Sequence, residues 1–182
     1  YAVMSNHLHI VVHVDVDAAQ RWSNDEITQR WCRLFPCRDQ DNEHRIQKML
    51  KNASRLALLR QRLCSLSWLM RCINEPIARA ANGEDSCTGR FWEGRFKCQV
   101  LADERAVLAA MAYVDLNPIR AGMTVRLDHC HHTSIEQRVL SCRNDEAKAQ
   151  QRLKPLIGLA PALSLKQGQY IELVQWTGQQ VR

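Results

Sequence analysis

Long apolar runs are missing from this sequence of 182 residues. No stretch of about 18 consecutive apolar residues occurs, which excludes a membrane-spanning helix of ordinary length. Internal repeats and low-complexity segments are also absent, so neither a repeat array nor a long disordered tract is expected. The length suits one domain with a modest core.

CxxC pairs are missing too, although the chain has eight cysteines. Several of these cysteines lie inside apolar helical patterns, which is typical of reduced thiols in a cytoplasmic protein. The alternative is a zinc site built on Cys130, His131 and His132, but the second ligand pair of a structural zinc site is not present.

Acidic residues are absent between Arg45 and Arg71, a stretch with seven basic residues, and the whole chain has a net charge of +6. The exposed face of a predicted helix in this stretch would present Lys48, Lys51, Arg55 and Arg62. Two interpretations stay open. The face is either simply solvated, or it follows the phosphate backbone of DNA.

The hydrophobic pattern predicts a mixed chain of strands and helices. Residues 2–14, rich in valine on both faces, predict one strand in the centre of a sheet. "SNDE" at 23–26 is a capping box that predicts a helix to about residue 35. Further helices are predicted at 42–63, 67–83, 104–116, 134–142 and 144–153 and near the end of the chain, with a second strand at about 95–101.

His7 and His9 stand one residue apart in the predicted first strand. Because side chains alternate along a strand, both imidazoles would project from one face and could bind one divalent cation. A third ligand would have to come from another element. His-x-His alone is a weak signal, but two histidines in a central strand need polar partners.

Tyrosine is scarce, with only three in the chain. Tyr113 lies in the last turn of the helix predicted at 104–116, four residues before Asn117. The phenol and the carboxamide would therefore project together. The pair offers a nucleophile beside a third metal ligand. Tyr113 could equally be a core tyrosine, and Asn117 could be only a helix cap.

Three motifs together resemble the REP-associated tyrosine transposases, which are single-tyrosine HUH transposases (U is a hydrophobic residue). The motifs are "MSNHLHIVV", "GRFWEGRFK" and "AYVDLNPIRAG". The resemblance runs from Tyr1 to about Ile135. It implies an α/β fold, a ferredoxin-like sandwich with a mostly antiparallel sheet flanked by helices.

The resemblance also implies a domain organisation. Residues 1–127 would form the transposase domain, with a helical insertion at about 23–63, and residues 128–182 would form a helical C-terminal extension. Relatives carry a strand and a helix before the position of Tyr1. Their absence here puts independent folding and activity in doubt.

By this resemblance, His7, His9 and Asn117 hold Mg²⁺ or Mn²⁺, and Tyr113 cleaves single-stranded DNA beside a hairpin through a 5′-phosphotyrosine. The implied enzyme is a cytoplasmic monomer or homodimer with no membrane partner. The alternative is a truncated or domesticated protein that binds hairpins without cutting. A zinc-dependent hydrolase built on His7, His9 and His131 is a third hypothesis.

DNA capture would need further residues around the motifs. Arginines and a lysine beside the motifs could hold phosphates, and aromatic rings could stack on unpaired bases; for the rings, core packing is an equal alternative. The predicted DNA-binding set comprises Arg90, Trp92, Arg95, Lys97 and Arg120, with Lys48, Lys51, Arg55 and Arg62 of the basic helix face. Phe91 and Phe96 are further stacking candidates.

Overall fold

The structure, a computed structural model, describes residues 1–36, 41–153 and 165–180. The described part is 64% helical, with ten α-helices and one two-stranded antiparallel sheet. The predicted ferredoxin-like sandwich with a mostly antiparallel sheet is therefore wrong for this structure. None of the described helices is long and apolar enough to cross a membrane.

The chain divides into two compact units, residues 1–13 with 99–182 (the terminal unit) and residues 14–98 (the central unit). The predicted C-terminal extension thus packs in the same unit as the first residues. The predicted division at residue 127 rests on the family resemblance and stays a prediction.

Residues 2–14 do not form one strand. They fold back as a hairpin of β1 (Ala2–Val3) and β2 (Leu8–His9), in which Ala2 pairs with His9 and Val3 with Leu8. The Met4 N–H donates to the His7 carbonyl at 2.9 Å, which closes the turn around polar Ser5 and Asn6. This segment therefore forms a short hairpin in place of one continuous strand.

The rest of the predicted sheet is also missing. Residues 95–101 have no regular secondary structure. The outer edge of β1 bonds instead to the loop before α8, through an isolated bridge between Ala2 and Thr133 and a 3.1 Å bond from the Val3 N–H to the His132 carbonyl. Among the described residues the sheet consists of two strands of two residues each, which is too small for a sandwich.

The terminal unit holds α6 (Glu104–Asp115), α7 (Asn117–Arg120), a 3₁₀ turn (Leu127–His129), α8 (Ser134–Asn144), α9 (Glu146–Gln150) and α10 (Gln167–Gln180). Its main core contains Leu116, Leu127, Ile135, Tyr170 and Val174. Gly178 permits a close approach of α10, because a Cβ there would lie 2.9 Å from the Leu116 side chain. The C-terminal helix therefore packs directly behind the α6–α7 junction.

Helix α6 begins where the sequence predicts, at residue 104, and ends at Asp115, one residue before the predicted end. The Asp103 side chain caps α6, and Gly122 (φ 69°) ends α7 with bonds from its own N–H to Ile119 and from Met123 N–H to Pro118. These two bonds form a Schellman motif. Asn117 is the first residue of α7 rather than its N-cap, and its side chain makes no capping bond.

The central unit contains α1 (Val16–Arg21), α2 (Asn24–Leu34), α3 (Asn42–Leu50), α4 (Ala53–Leu63) and α5 (Leu66–Glu84). The capping box at Ser23 and Glu26 is present, which confirms that prediction. The helix predicted over 42–63 is two helices, because the Asn52 side chain accepts a 2.8 Å bond from Arg55 N–H and so starts α4. The core of the unit packs α2 against α3 and α4 through Ile27, Trp31, Met49, Leu56 and Leu59.

Candidate active site

The hairpin brings His7 and His9 together. Their ring centroids lie 4.7 Å apart, with the ring planes nearly perpendicular at 86°. His7 Nδ1 is 2.7 Å from Asn6 Oδ1, so the amide can accept the Nδ1 proton and leave Nε2 with a lone pair. Burial, helped by the neighbouring His7, lowers the pKa of His9 and favours the neutral imidazole. Neutral imidazoles are the form that binds metal ions.

Tyr113 extends this row of rings. Its centroid lies 5.9 Å from that of His9, in an edge-on arrangement with an interplanar angle of 83°. The tyrosine projects from the last turn of α6 and is 48% exposed, so the phenol is accessible to a large ligand. The guanidinium of Arg120, on α7, lies 4.7 Å from the centroid of the same ring. A cation, a phenol and two imidazoles thus form one contiguous surface patch, which we call the ring row (His7, His9, Tyr113 and Arg120).

Asn117 occupies a different environment from the ring row. It is buried, with 9% of its surface exposed, at the first residue of α7. Helix α6 ends at Asp115 and α7 begins at Asn117, with Leu116 between them in the αR conformation. The role of Asn117 as a third ligand stays a prediction.

The imidazoles of His7 and His9, with the amide oxygen that Asn117 could add, are ligand types suitable for a divalent cation. Within the described ranges, no group of three or more His, Cys, Asp or Glu side chains is placed to hold a metal ion. This applies to the zinc alternatives: the Cys130 thiol donates to the Arg126 carbonyl, and His131 pairs with Glu136 at 2.7 Å. Cys64, Cys72, Cys87, Cys98, Cys130 and Cys142 form no disulfide among the described residues, Cys87 and Cys98 are exposed rather than in a core, and Cys37 lies outside the described residues.

The other predicted DNA-binding residues belong to the central unit. Lys48, Lys51 and Arg55 are exposed on α3, at its C-cap and on α4. The guanidinium carbon of Arg62 instead lies 4.3 Å from the centroid of the Trp68 ring, so its charge already has a partner within the central unit. Its role in DNA binding stays a prediction.

The loop 85–98 carries the remaining candidates. Arg90, Arg95 and Lys97 are exposed there. Trp92 is half-buried, and its indole N–H donates to the Asn74 carbonyl at 2.9 Å, which favours packing over free stacking for this ring. Phe91 is 44% exposed and lies edge-on against Trp92.

Asp115, for which the sequence indicated no role, is the most deeply buried carboxylate of the terminal unit. It is 2% exposed and accepts hydrogen bonds from Tyr170 Oη at 2.5 Å and Ser134 Oγ at 2.7 Å. These bonds join α10 and α8 to the last turn of α6, two residues from Tyr113. The signal in the sequence for this pairing was a carboxylate between the apolar residues Val114 and Leu116, because a carboxylate in an apolar segment is either exposed or paired.

Comparison with known proteins yields no match, whether among family models, curated proteins or solved structures. The family resemblance therefore rests on the three sequence motifs.

Proposed function

We propose that this protein is a tyrosine transposase that cleaves and rejoins single-stranded DNA beside hairpins, with Tyr113 as the nucleophile. The observation that carries the proposal is the ring row. Residues separated by more than 100 positions in the chain, His9 and Tyr113, have ring centroids 5.9 Å apart, and Arg120 covers the same phenol. A phosphodiester that approached the exposed phenol would meet a cation and two metal-binding side chains together.

The proposed reaction follows from these groups. The Tyr113 oxygen attacks phosphorus, the bond from phosphorus to the 3′ oxygen breaks, and a 5′-phosphotyrosine forms. The phenolic proton passes to solvent, and the leaving 3′ oxygen takes up a proton to become a hydroxyl. That hydroxyl can attack a second phosphotyrosine, so the strand is rejoined without an external energy source.

His7, His9 and Asn117 would hold the Mg²⁺ or Mn²⁺ ion. When bound, such an ion supplies Lewis-acid polarisation of a non-bridging phosphate oxygen. Arg120 would neutralise phosphate charge beside the attacking oxygen, which is where electrostatic stabilisation of a transition state is most effective.

The test is a covalent adduct. Purified protein with Mn²⁺ and a DNA hairpin labelled downstream of the cleavage site should give a labelled band of the protein on a denaturing gel. Tyr113→Phe should abolish the band and leave hairpin binding intact, while Tyr1→Phe, at an exposed tyrosine, keeps the Tyr113 nucleophile and serves as the matched control. An adduct that persists in Tyr113→Phe would show that another residue is the nucleophile.

One observation favours a second candidate function. The two histidines lie on a two-stranded hairpin and not in a central strand. The sheet that holds them is therefore smaller than the one that the resemblance implies. We propose as the alternative a catalytically inactive protein that binds DNA hairpins. Tight hairpin binding with no adduct, at any Mn²⁺ or Mg²⁺ concentration, would favour this alternative.

A further inference from the structure

The seven basic residues between Arg45 and Arg71 separate into two groups in the structure. Four are engaged within the central unit. Arg45 donates to the Phe35 carbonyl, and Arg60 donates to carbonyls at the end of α1. Arg62 and Arg71 lie over the Trp68 ring, at 4.3 Å and 5.1 Å from its centroid. These four cations support the fold.

The other three are Lys48, Lys51 and Arg55. All three are exposed, and in the part of the chain that the structure describes their side chains form no ion pair or hydrogen bond. They lie within eight consecutive residues on both sides of the turn between α3 and α4, which we call the α3–α4 corner (residues 48–55). No acidic residue lies in this stretch. The positive charge of the corner is therefore not neutralised locally, which favours a polyanionic ligand.

The composition of α3 and α4 indicates which polyanion fits. Residues 48–55 contain no Phe, Tyr, Trp or His, so the corner itself offers no ring on which unpaired bases could stack. Surfaces that bind single strands combine cations with such rings. A ringless basic helical surface instead matches a regular row of phosphates, as a duplex presents.

The orientation of helix α4 also suits DNA binding. Leu56 and Leu59 are buried in the core of the central unit, so the opposite face of the helix is fixed outward. The first turn of α4 carries Ala53, Ser54 and Arg55, all exposed. Small side chains beside an arginine permit close approach of a helix to a DNA groove.

We propose that the α3–α4 corner binds the phosphate backbone of double-stranded DNA through Lys48, Lys51 and Arg55. This surface is distinct in residues and chemistry from the ring row. Under the proposed function its ligand is the paired stem of the hairpin. Duplex binding itself requires no cleavage, so the two proposals fail independently.

The experiment uses the full chain carrying Tyr113→Phe, which prevents any adduct. Binding to a fluorescent blunt duplex and to one of its separate strands is followed by anisotropy at several salt concentrations. The test variant combines Lys48→Gln, Lys51→Gln and Arg55→Gln. The control removes the same charge from exposed positions elsewhere, with Arg33→Gln, Arg105→Gln and Lys148→Gln.

The test variant should bind the duplex roughly a hundredfold more weakly, and the slope of log affinity against log salt should fall by about 3, one for each phosphate contact. The control should stay within about threefold of the parent, because salt-dependent affinity follows the contacts and not the total charge. Equal losses in both variants, or a loss confined to the single strand, would overturn the proposal.

A second measurement does not depend on the folding of any variant. Lysine acetylation of the parent chain, with and without the duplex, reports which lysines the DNA covers. Lys48 and Lys51 should be protected by the blunt duplex, whereas Lys148 should react equally in both samples. Unprotected Lys48 and Lys51 in a saturated complex would exclude the α3–α4 corner as the binding surface.

Discussion

The Tyr170 hydroxyl donates a 2.5 Å hydrogen bond to the Asp115 carboxylate, across 55 residues of sequence and in a fully buried position. The bond joins the C-terminal helix to the helix that carries Tyr113. A carboxylate buried in an apolar core needs such donors, since the loss of one leaves a desolvated charge. The packing of α10 against α6 therefore depends in part on this bond.

Tyr170→Phe should lower the free energy of unfolding by about 1–3 kcal/mol, because Asp115 then keeps only the Ser134 donor. Urea denaturation at neutral pH measures the change. Trp176→Phe, at a position that is 62% exposed on the same helix, is the control and should change stability by about 0.5 kcal/mol at most. A Tyr170→Phe protein as stable as the parent would mean that the hydroxyl is not buried against the carboxylate.

The same pair predicts a loss of stability at alkaline pH. Burial, with the Asp115 carboxylate adding to it, raises the pKa of the Tyr170 hydroxyl far above its usual range. In the unfolded chain the hydroxyl ionises near pH 10, so above about pH 10 the unfolded state binds fewer protons than the folded state. The contribution of Tyr170 is complete below that pH and decreases above it.

Urea denaturation from neutral pH to about pH 11 should therefore show the stability gap between the parent and Tyr170→Phe narrowing above pH 10, by up to about 1.4 kcal/mol per pH unit. The phenylalanine variant is itself the control, since every other group titrates equally in both proteins. A gap of constant size across this range would show that the Tyr170 pKa is ordinary.

Arg120 is predicted to accelerate adduct formation if the proposed function is correct. Arg120→Gln removes the cation that lies 4.7 Å from the Tyr113 ring, and the rate of adduct formation should fall by about 10²-fold. Arg120→Lys keeps a charge but loses the planar fork, so it should recover only part of the rate. Arg105→Gln, in the first turn of α6, is the control; a normal rate in Arg120→Gln would remove this arginine from the mechanism.

Arg60 is predicted to stabilise the central unit and not to bind DNA. Its guanidinium donates to the Ala19 carbonyl and, at 2.8 Å, to the Trp22 carbonyl, so it satisfies the end of α1 from α4. Arg60→Ala should therefore lower the free energy of unfolding by about 1–3 kcal/mol. Arg55→Ala on the same helix is exposed and should be nearly neutral. Equal stability of the two variants would contradict this capping role.

Local structure was largely predictable from the sequence. The capping box at Ser23 acts within one turn of chain, and the helix that it begins is present, as is the helix predicted from residue 104. The break at Asn52 was missed, although asparagine is a common N-cap, because the apolar period continues across it. The prediction of the sheet was wrong at residues 2–14 because one continuous strand was predicted there, whereas Ser5 and Asn6 form a turn.

The candidate site divides in the same way. The sequence by itself identified the candidate side chains, the histidine pair His7 and His9 and a tyrosine in the last turn of a helix, because these follow from residue type and local period. Only the tertiary structure decided that a hairpin brings His9 to Tyr113 and that Asp115 bonds to Tyr170. Those contacts join residues far apart in the chain, and their formation depends on how whole helices pack rather than on any local preference.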